Sequence, residues 1–245
     1  MNRFIADLHT HTLLSPCGDR EMMPELIIET ALRKGIDIIG ITDHNSTKHC
    51  RLTEHYAKNR NIFVLCGAEV TTMEEAHCLV FFPTHEHLNQ FQNFLEENLP
   101  YIPNSPDFSE DQVQIDEDMN IVYQEPRLLT NGLKVSTKKI EQEVHRLDGI
   151  FIPAHIDRRR YSVISQLGII PFDLQYEAVQ ISILGNKEEI LKQHSYLKNK
   201  TFIRSSDAHS LAEIGMATSV FEMGTCTFEE IRKALLGMDG RKVQE

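Results

Sequence analysis

Residues 3–12, RFIADLHTHT, join a short apolar strand to two histidines that stand two positions apart. Successive residues of a strand point to opposite faces, so His9 and His11 share one face and both imidazoles can reach one cation. An isolated H-x-H pair is often a coincidence. Its meaning therefore depends on whether similar residues recur at the ends of other strands.

Histidines and acids do recur in this way. The later predicted strands cover residues 36–42, 62–70, 76–82, 150–154, 178–183 and 202–206. At or beside their ends stand His44, Glu69, His77, His155, Asp207 and His209. Strand ends in a barrel converge on one mouth, and so many histidines and acids there are hard to explain as independent accidents. The sequence therefore predicts a polynuclear metal centre.

The predicted strands alternate with segments of helical periodicity, the pattern of an α/β fold. Pro24 suits the first position of a helix that Gly35 ends. Thr227 and Glu230 form a capping-box pattern before the last helix. Only a few residues separate the third and fourth strands, too few for a parallel crossover, so we expect a hairpin-like return or a strongly distorted barrel there. Seven strands favour a barrel over an open sheet.

One stretch, residues 83–148, exceeds the usual length of a connection between strands. It is predicted to hold a helix at 86–99 and a β-hairpin around 116–120. The hairpin falls in residues 101–126, which contain seven acids and no Lys or Arg. This segment is either a solvated surface excursion or a lid over the site. We expect residues 1–245 to form one domain with this insertion between strands four and five.

The charge balance excludes some classes of partner. The chain has 25 Lys and Arg against 36 Asp and Glu, a formal net charge of −11. This disfavours stable binding to long nucleic acids or anionic membranes, which need clustered cations. No apolar run approaches the length of a membrane span. Five scattered cysteines without a C-x-x-C pair indicate reduced thiols in a cytoplasmic protein.

The number of candidate ligands bears on the number of ions. About eight nitrogen and oxygen donors exceed what one ion takes from the protein in a catalytic site with open positions. We therefore expect two or three divalent ions, with a carboxylate such as Glu69 bridging two of them. Donors of this kind suit Zn²⁺, Mn²⁺ or Fe²⁺, and the sequence does not distinguish among these ions.

Six motifs, in order, resemble those of the PHP (polymerase and histidinol phosphatase) family. They are DLHTHT from residue 7, ITDHNS from residue 41, GAEV from residue 67, AH at 76–77, PAH at 153–155 and SDAH at 206–209. The resemblance implies a distorted, TIM-like barrel of seven strands. It also implies a phosphoesterase with two or three metals at the barrel mouth.

The resemblance further implies how the ligands are divided among three ions. The first ion would be held by His9, His11, Glu69 and Asp207, the second by Glu69, His77 and His155, and the third by His44, His209 and Asp19. Asp19 is matched here to an acid or histidine that follows the first motif in the family.

The expected reaction is hydrolysis of a small phosphate ester by a metal-activated water. Asp43, beside His44, is predicted to orient a ligand. Arg158 is predicted to bind the phosphate, because a guanidinium can grip it with two hydrogen bonds. Asn45, in the second motif, is predicted to contact the substrate.

Three alternatives stay open. An amidohydrolase also begins with H-x-H on its first strand, although that class often has a bridging carboxylated Lys and no Lys stands at a predicted strand end here. A nuclease or nucleotidase acting on nucleotides or short oligonucleotides would use the same phosphoryl chemistry. A non-catalytic, metal-stabilised interaction domain would hold metals ligated fully by protein.

Overall fold

The computed structural model describes residues 1–104 and 111–245, so part of the predicted acidic segment, residues 105–110, lies outside the described residues. In chain order the strands and helices are β1 (Asn2–Thr10), α1 (Pro24–Arg33), β2 (Ile38–Ile41), α2 (Cys50–Ala57), β3 (Phe63–Thr71), β4 (His77–Phe81), α3 (His85–Asn98), β5 (Val113–Ile115), β6 (Ile121–Gln124), α4 (Thr137–Arg146), β7 (Ile150–Pro153), α5 (Val163–Leu167), β8 (Val179–Ile181), α6 (Lys187–Gln193), β9 (Phe202–Arg204), β10 (Ser219–Met223), α7 (Phe228–Leu236) and β11 (Lys242–Gln244).

Seven strands form one curled sheet in the order β11-β10-β1-β2-β3-β4-β7. β1, β2 and β3 are parallel neighbours, whereas β4 is antiparallel to both β3 and β7. The four apolar residues of β2 are all buried, as expected of a strand with structure packed on both faces. The α/β class is therefore confirmed.

The hairpin-like return between the third and fourth strands is also present. Thr71 pairs with His77 and Glu69 with Leu79 across the antiparallel β3–β4 ladder. The end of β3 and the start of β4 therefore lie at the same edge. Gly67 permits the close approach of the two strands, because a Cβ at this position would overlap the carbonyl oxygen of Val80.

The C-terminal strands differ from the prediction. The predicted sixth and seventh strands are β8 and β9, which pair with each other in a separate parallel sheet. β10 and β11 were not predicted, and β10 runs antiparallel to β1. The signal in β10 is a short alternation of buried and half-buried residues, SVFEM. The seven strands of the main sheet are therefore a different set from the seven predicted.

Backbone hydrogen bonds connect the β8–β9 pair to β1 on one side and to the segment after β7 on the other. The amide of His11 donates to the carbonyl of Ala208, which follows β9, and the amide of Ala208 donates to the carbonyl of His9. On the other side, the amide of Ile156, after β7, donates to the carbonyl of Gln180 in β8. The carboxyl end of β1 thereby lies beside that of β9, and the carboxyl end of β7 lies beside β8.

Two apolar clusters lie on the two faces of the sheet. Ile38 and its neighbour Ile39 are both fully buried but belong to different clusters, because successive strand residues point to opposite faces. The larger cluster contains residues of helices α1 to α4. The smaller one packs Phe228 and Ile231 of α7 against strand residues such as Leu8.

A β-bulge interrupts β1 at the approach to its polar end. Asp7 pairs with Ile39 and Thr10 with Ile41, so three steps along β1 match two steps along β2. An extra residue of this kind reverses the alternation of side chains. Ala6 and Leu8 both belong to the smaller apolar cluster, and His9, within the irregular stretch, is directed to the polar groups at the strand end.

The segment between β4 and β7 contains the predicted helix as α3 and the predicted hairpin as β5–β6. The hairpin contacts the rest of the protein through buried Val113 and Ile115. The hydroxyl of Tyr56 in α2 donates a hydrogen bond to the carbonyl of Glu117 at the hairpin turn. In the described residues, no helix combines the length and the apolar character needed to cross a membrane.

An ion pair outside the strand ends gives a pH-dependent contribution to stability. His145 of α4 lies 3.3 Å from Glu177 and 2.7 Å from Glu141. Hydrogen bonding to Glu177 is the main reason that the pKa of His145 is raised above its ordinary value. Protonated His145 is thus stabilised in the folded state, and this contribution is complete below about pH 6.5 and is lost at higher pH, as the imidazole deprotonates.

We expect His145→Gln to lower the free energy of unfolding by up to about 1 kcal/mol at pH 6. At pH 9 the difference should be smaller, because raising the pH removes the charge of the parent. Urea unfolding of both proteins at the two pH values measures the difference. A loss of stability that is the same at both pH values would contradict the ion-pair explanation.

Candidate metal centre

Eight side chains with nitrogen or oxygen donors meet at the carboxyl ends of the strands and at the start of β4. All eight were predicted as ligands: His9, His11, His44, Glu69, His77, His155, Asp207 and His209. Seven of them contribute to groups in which one donor atom from each residue lies within 4.8 Å of the others. His155 joins them through a 3.2 Å contact between its Nε2 and Glu69 Oε1.

The first group consists of His9, His11, Glu69 and Asp207. Nε2 of His9 lies 3.1 Å from Asp207 Oδ1 and 3.3 Å from Glu69 Oε1. Nε2 of His11 lies 3.3 Å from Asp207 Oδ1 and 3.4 Å from Glu69 Oε2. Two imidazoles and two carboxylates therefore face a common point.

Glu69 also faces the residues predicted to hold a second ion. Its Oε1 atom lies 2.9 Å from His77 Nδ1 and 3.2 Å from His155 Nε2. Its Oε2 atom lies 3.3 Å from Nδ1 of His44. The carboxylate thus connects the first group to a second one, the position that a bridging ligand occupies in a site with two metals.

The third group differs from the predicted set. It contains His11, His44, His209 and the thiol of Cys17. Asp19, which was predicted to complete this group, is exposed and belongs to none of the groups. Its backbone amide donates to the carbonyl of His209, so the loop contacts the site through its backbone while Cys17 supplies the side chain.

Hydrogen bonds at Nδ1 orient the histidines of the first group. Gln180 Oε1 lies 3.1 Å from His9 Nδ1 and also accepts a hydrogen bond from the amide of His155. The hydroxyl of Ser15 donates to Asp43, so it can only accept from Nδ1 of His11, 3.1 Å away. In its neutral form each imidazole therefore carries its proton on Nδ1 and presents a lone pair at Nε2.

This donor set fits a divalent cation. The two Nε2 atoms of His9 and His11 are 3.2 Å apart, and carboxylate oxygens of Glu69 and Asp207 surround them. Four electron-rich atoms at such distances repel one another unless a positive charge lies among them. Oxygen and imidazole ligands suit Zn²⁺, Mn²⁺ and Fe²⁺.

The pKa shifts describe the same balance of charge. Burial opposes ionisation of Glu69 and Asp207, but the surrounding imidazoles outweigh it and hold the pKa of both carboxyls well below the usual range. Burial lowers the pKa of His11 to about 4. Burial acts in the same direction on His9, yet Asp207 and Glu69 raise its pKa to about 9. A cation that binds at the first group would displace the proton that His9 carries at Nε2.

Two buried aspartates hold the loops that carry the ligands. Asp43 accepts hydrogen bonds from the amide and hydroxyl of Thr12 and from the hydroxyl of Ser15, at 2.7–2.8 Å. Asp7 accepts from the amide and hydroxyl of Ser206 and from the amide of Gly215. Asp43 therefore lies behind the loop that carries His11, and its orienting role stays a prediction.

A further hydrogen-bonded chain connects the hairpin to this network. The amide of Ile115 in β5 donates to Nε2 of His49, and Nδ1 of His49 lies 2.6 Å from the hydroxyl of Thr12. Burial lowers the pKa of His49 to about 4, so this imidazole is neutral. It accepts at Nε2 and donates at Nδ1, and the hydroxyl of Thr12 in turn donates to Asp43.

The two residues predicted to bind substrate are placed differently. Nη1 of Arg158 lies 2.7 Å from Asp207 Oδ2, and its side chain is 46% exposed. Asn45, by contrast, is buried. Its side-chain amide donates to the carbonyls of Leu129 and Asn131 and accepts from the amide of Thr71. The prediction for Asn45 needs correction, because these backbone contacts occupy its polar atoms.

A polar cavity of about 410 Å³ opens beside the second and third groups. Its lining includes Cys17, His44, His77 and His209 on one side. Residues Thr130, Asn131 and Gly132, from the segment between β4 and β7, form another part of the wall together with Thr71, Glu75 and Tyr161. The ring of Tyr161 stacks on His77 at a centroid distance of 4.8 Å.

Sequence reasoning missed Cys17, Gln180 and Asp7 as parts of the site. Gln180 is a buried polar residue between the apolar Val179 and Ile181, and such a residue in a buried strand needs a polar partner. Cys17 and Asp7 lie in or beside the first motif. Their proximity to His9 and His11 was a usable signal, but it did not show which way their side chains point.

Comparison with known families agrees with this arrangement. Residues 7–197 match the family model described as the PHP domain, and residues 197–237 match one described as PHP-associated. The first match covers well over half of the chain. The chain therefore belongs to the PHP domain family.

Two curated proteins are similar in sequence. The uncharacterised protein YqxK of Bacillus subtilis is 27% identical over 274 aligned positions, which include 99% of this chain and 64% of YqxK. The uncharacterised protein MJ1587 of Methanocaldococcus jannaschii is 35% identical over 77 residues, 28% of this chain and 45% of that protein. This chain thus spans less than two thirds of the length of either relative.

Solved structures share the fold at low sequence identity. The lesion-specific endonuclease EndoQ of Pyrococcus furiosus has a TM-score of 0.72 at 20% identity, covering 99% of this chain and 58% of EndoQ. An Endonuclease Q complex contains a 27-mer duplex with an abasic lesion at the active site. A candidate metal-dependent phosphoesterase of Bifidobacterium adolescentis has a TM-score of 0.61 at 18% identity, covering 95% of this chain and 96% of that one.

Gln180 offers a test of the tautomer argument. We expect Gln180→Leu to weaken metal binding about 10- to 100-fold, because it removes the acceptor that keeps the proton of His9 on Nδ1. Competition between the metal-free protein and a fluorescent chelator measures the affinity. Gln166→Leu, at an exposed position of α5, is the control, and equal affinities of the two variants would contradict the assigned role.

Proposed function

We propose that this chain is a metal-dependent phosphoesterase that hydrolyses a small phosphate ester at a centre of two or three divalent ions. The observation that carries the proposal is the buried carboxylate of Glu69, which is 1% exposed and has five imidazoles within 2.9–3.4 Å. A carboxylate with that many metal-binding side chains supports a bridged site better than a single ion. Membership of the PHP domain family supports the same class of chemistry.

When bound, such ions supply Lewis acidity, lower the pKa of a coordinated water and neutralise the oxygens of a phosphoryl group. The residues of the chain position these ions. Glu69 and Asp207 provide negative charge that stays ionised at neutral pH. Gln180 and Ser15 direct the lone pairs of His9 and His11 inward.

Arg158 is the residue that we assign to substrate binding. Asp207 holds one guanidinium nitrogen at 2.7 Å, and the side chain is half exposed at the edge of the centre. A guanidinium has five N–H donors in a planar fork, so donors remain for the oxygens of a phosphate. In this role Arg158 binds and orients the phosphate and offsets part of its negative charge.

The cavity supports a small substrate. Its volume of about 410 Å³ lies within the ordinary range for sites that enclose one small molecule. Thr130, Asn131 and Gly132 form part of its wall, which supports a role of the inserted segment, residues 83–148, in shaping the substrate pocket. Asn45 supports this wall from behind through its hydrogen bonds to the carbonyls of Leu129 and Asn131.

Cleavage of nucleic acid is the second candidate function. The similarity of EndoQ, which covers nearly all of this chain, favours it, since the related complex holds a duplex with an abasic lesion. The chain covers only 58% of EndoQ, however, and its net charge of −11 opposes binding of a long polyanion. We therefore prefer a small ester, with a nucleotide as one member of that class.

Activity assays distinguish these candidates. Metal-free protein is supplied in turn with Mn²⁺, Zn²⁺ and Fe²⁺ and mixed with p-nitrophenyl phosphate, nucleotides, sugar phosphates or a labelled duplex with an abasic site. We expect release of phosphate from a small ester. Cleavage of the duplex alone would replace the proposal with a nuclease, and metal binding without turnover of any substrate would favour an interaction domain.

Arg158→Ala should raise the KM for the best phosphomonoester about 10- to 100-fold, because a charged hydrogen-bonding contact of roughly 1.5–3 kcal/mol is lost. Steady-state kinetics measure the effect. Arg160→Ala, two positions further along and exposed, is the matched control. Unchanged KM in the Arg158 variant would remove this residue from the substrate site.

A further inference from the structure

We propose that Cys17, together with His44 and His209, holds a cation at the third position of the centre, and that its sulfur makes this position selective for Zn²⁺ over Mn²⁺ and Mg²⁺. The inference rests on the metal-dependent function proposed above and adds to it a ligand and a preference for a metal. Neither follows from the resemblance to the PHP family, which pointed to Asp19.

The distances place sulfur and nitrogen donors together. Sγ of Cys17 and one ring nitrogen each of His11, His44 and His209 all lie within 4.8 Å of one another. His11 already has Nε2 directed at Glu69 and Asp207, and its Nδ1 faces Ser15. The donors left for a third ion are therefore one sulfur and two imidazoles, a number that leaves coordination positions open.

Each of the two histidines has a ring nitrogen available for a cation. Nδ1 of His209 lies 2.7 Å from the carbonyl oxygen of Asp207. It must donate there, so Nε2 carries the lone pair. Nδ1 of His44 is buried without a hydrogen bond, although Glu69 Oε2 is 3.3 Å away. A buried ring nitrogen without a partner is costly, and coordination of a cation by this imidazole would relieve that cost.

The loop after β1 fixes the position of Cys17. Thr12 accepts from the amide of Ser15, and Ser15 accepts from the amide of Gly18. The amide of Asp19 then donates to the carbonyl of His209. A Cβ at Gly18 would overlap the carbonyl oxygen of Thr12, so a residue with a side chain does not fit this turn. Cys17 is thus held next to His209, while the side chain of Asp19 is exposed.

Cys17 differs from the other four cysteines of the chain. Cys50, Cys66 and Cys78 are buried and Cys226 is half-buried, whereas Cys17 is exposed and lines the cavity beside His44 and His209. An ion held there would face the cavity directly. Thiolate ligands favour Zn²⁺ and related ions, while Mn²⁺ and Mg²⁺ prefer oxygen, so this one side chain sets the selectivity of the third position.

Cobalt substitution tests this ligation without measuring activity. Titration of the metal-free protein with Co²⁺ should produce a sulfur-to-cobalt charge-transfer absorption in the near ultraviolet. Zn²⁺, but not Mg²⁺, should slow alkylation of Cys17 by iodoacetamide at least about tenfold, as followed by peptide mass mapping. An absent absorption band, or a rate of alkylation that Zn²⁺ does not change, would overturn the proposal.

Variants separate the sulfur from the rest of the centre. Cys17→Ser should lose the absorption band and roughly one Zn²⁺ per chain, while Cys17→Asp should regain an ion and shift the preference toward Mn²⁺. Cys226→Ser and Asp19→Asn should keep both the band and the ion. A band that survives in the Cys17 variants, or disappears with Asp19→Asn, would refute the assignment.

These outcomes are distinguishable from a failure of the proposed function. If the protein shows the band and the Zn²⁺ protection but hydrolyses no phosphoester, the Cys17 site is supported and the phosphoesterase assignment is wrong. If the protein hydrolyses a phosphoester but shows no absorption band with Co²⁺, the proposed function is supported and the Cys17 site is wrong.

Discussion

The negative charge on Glu69 is the constraint on which the arrangement of the strand ends depends. A carboxylate that is 1% exposed and has neither charged nor hydrogen-bonding partners would cost several kcal/mol of folding free energy. It would then become protonated, or its side chain would move to solvent. Here five imidazoles from β1, β4 and the loops after β1, β2 and β7 surround it. The ends of these elements must therefore meet at one point, and the curled sheet with its antiparallel β3–β4 return provides that meeting point.

Much of this centre could be predicted from the sequence, because strand ends and residue types are both visible there. The periodicity places His9 and His11 on one side, and the short connection after β3 puts His77 beside Glu69. The choice between Cys17 and Asp19 was not visible in the same way. Both lie in one loop, and spacing gives the length of a loop without showing which side chain turns inward.

The errors elsewhere have similar physical causes. Asn45 was predicted to contact substrate because it follows His44, but its left-handed backbone, with φ of 45°, turns its amide toward the carbonyls of the loop after β6. β10 and β11 are short, and the pairing of β10 with β1 joins residues more than 200 positions apart, a contact that local patterns do not contain. The strands with long apolar runs were predicted because burial on both faces shows in the residues themselves.

The hydrogen-bonded chain from Ile115 through His49 and Thr12 to Asp43 has a consequence for the evolution and engineering of this protein. It makes the hairpin a support for the loop that carries His11, although the two are separated by about 100 positions of sequence. Replacing the hairpin with a shorter linker would remove the amide of Ile115 that donates to His49. The neutral imidazole of His49 would then be left without this partner in the interior. A minimal scaffold derived from this chain must therefore retain the hairpin, or replace the His49 side chain with one that fills the same volume without needing a donor.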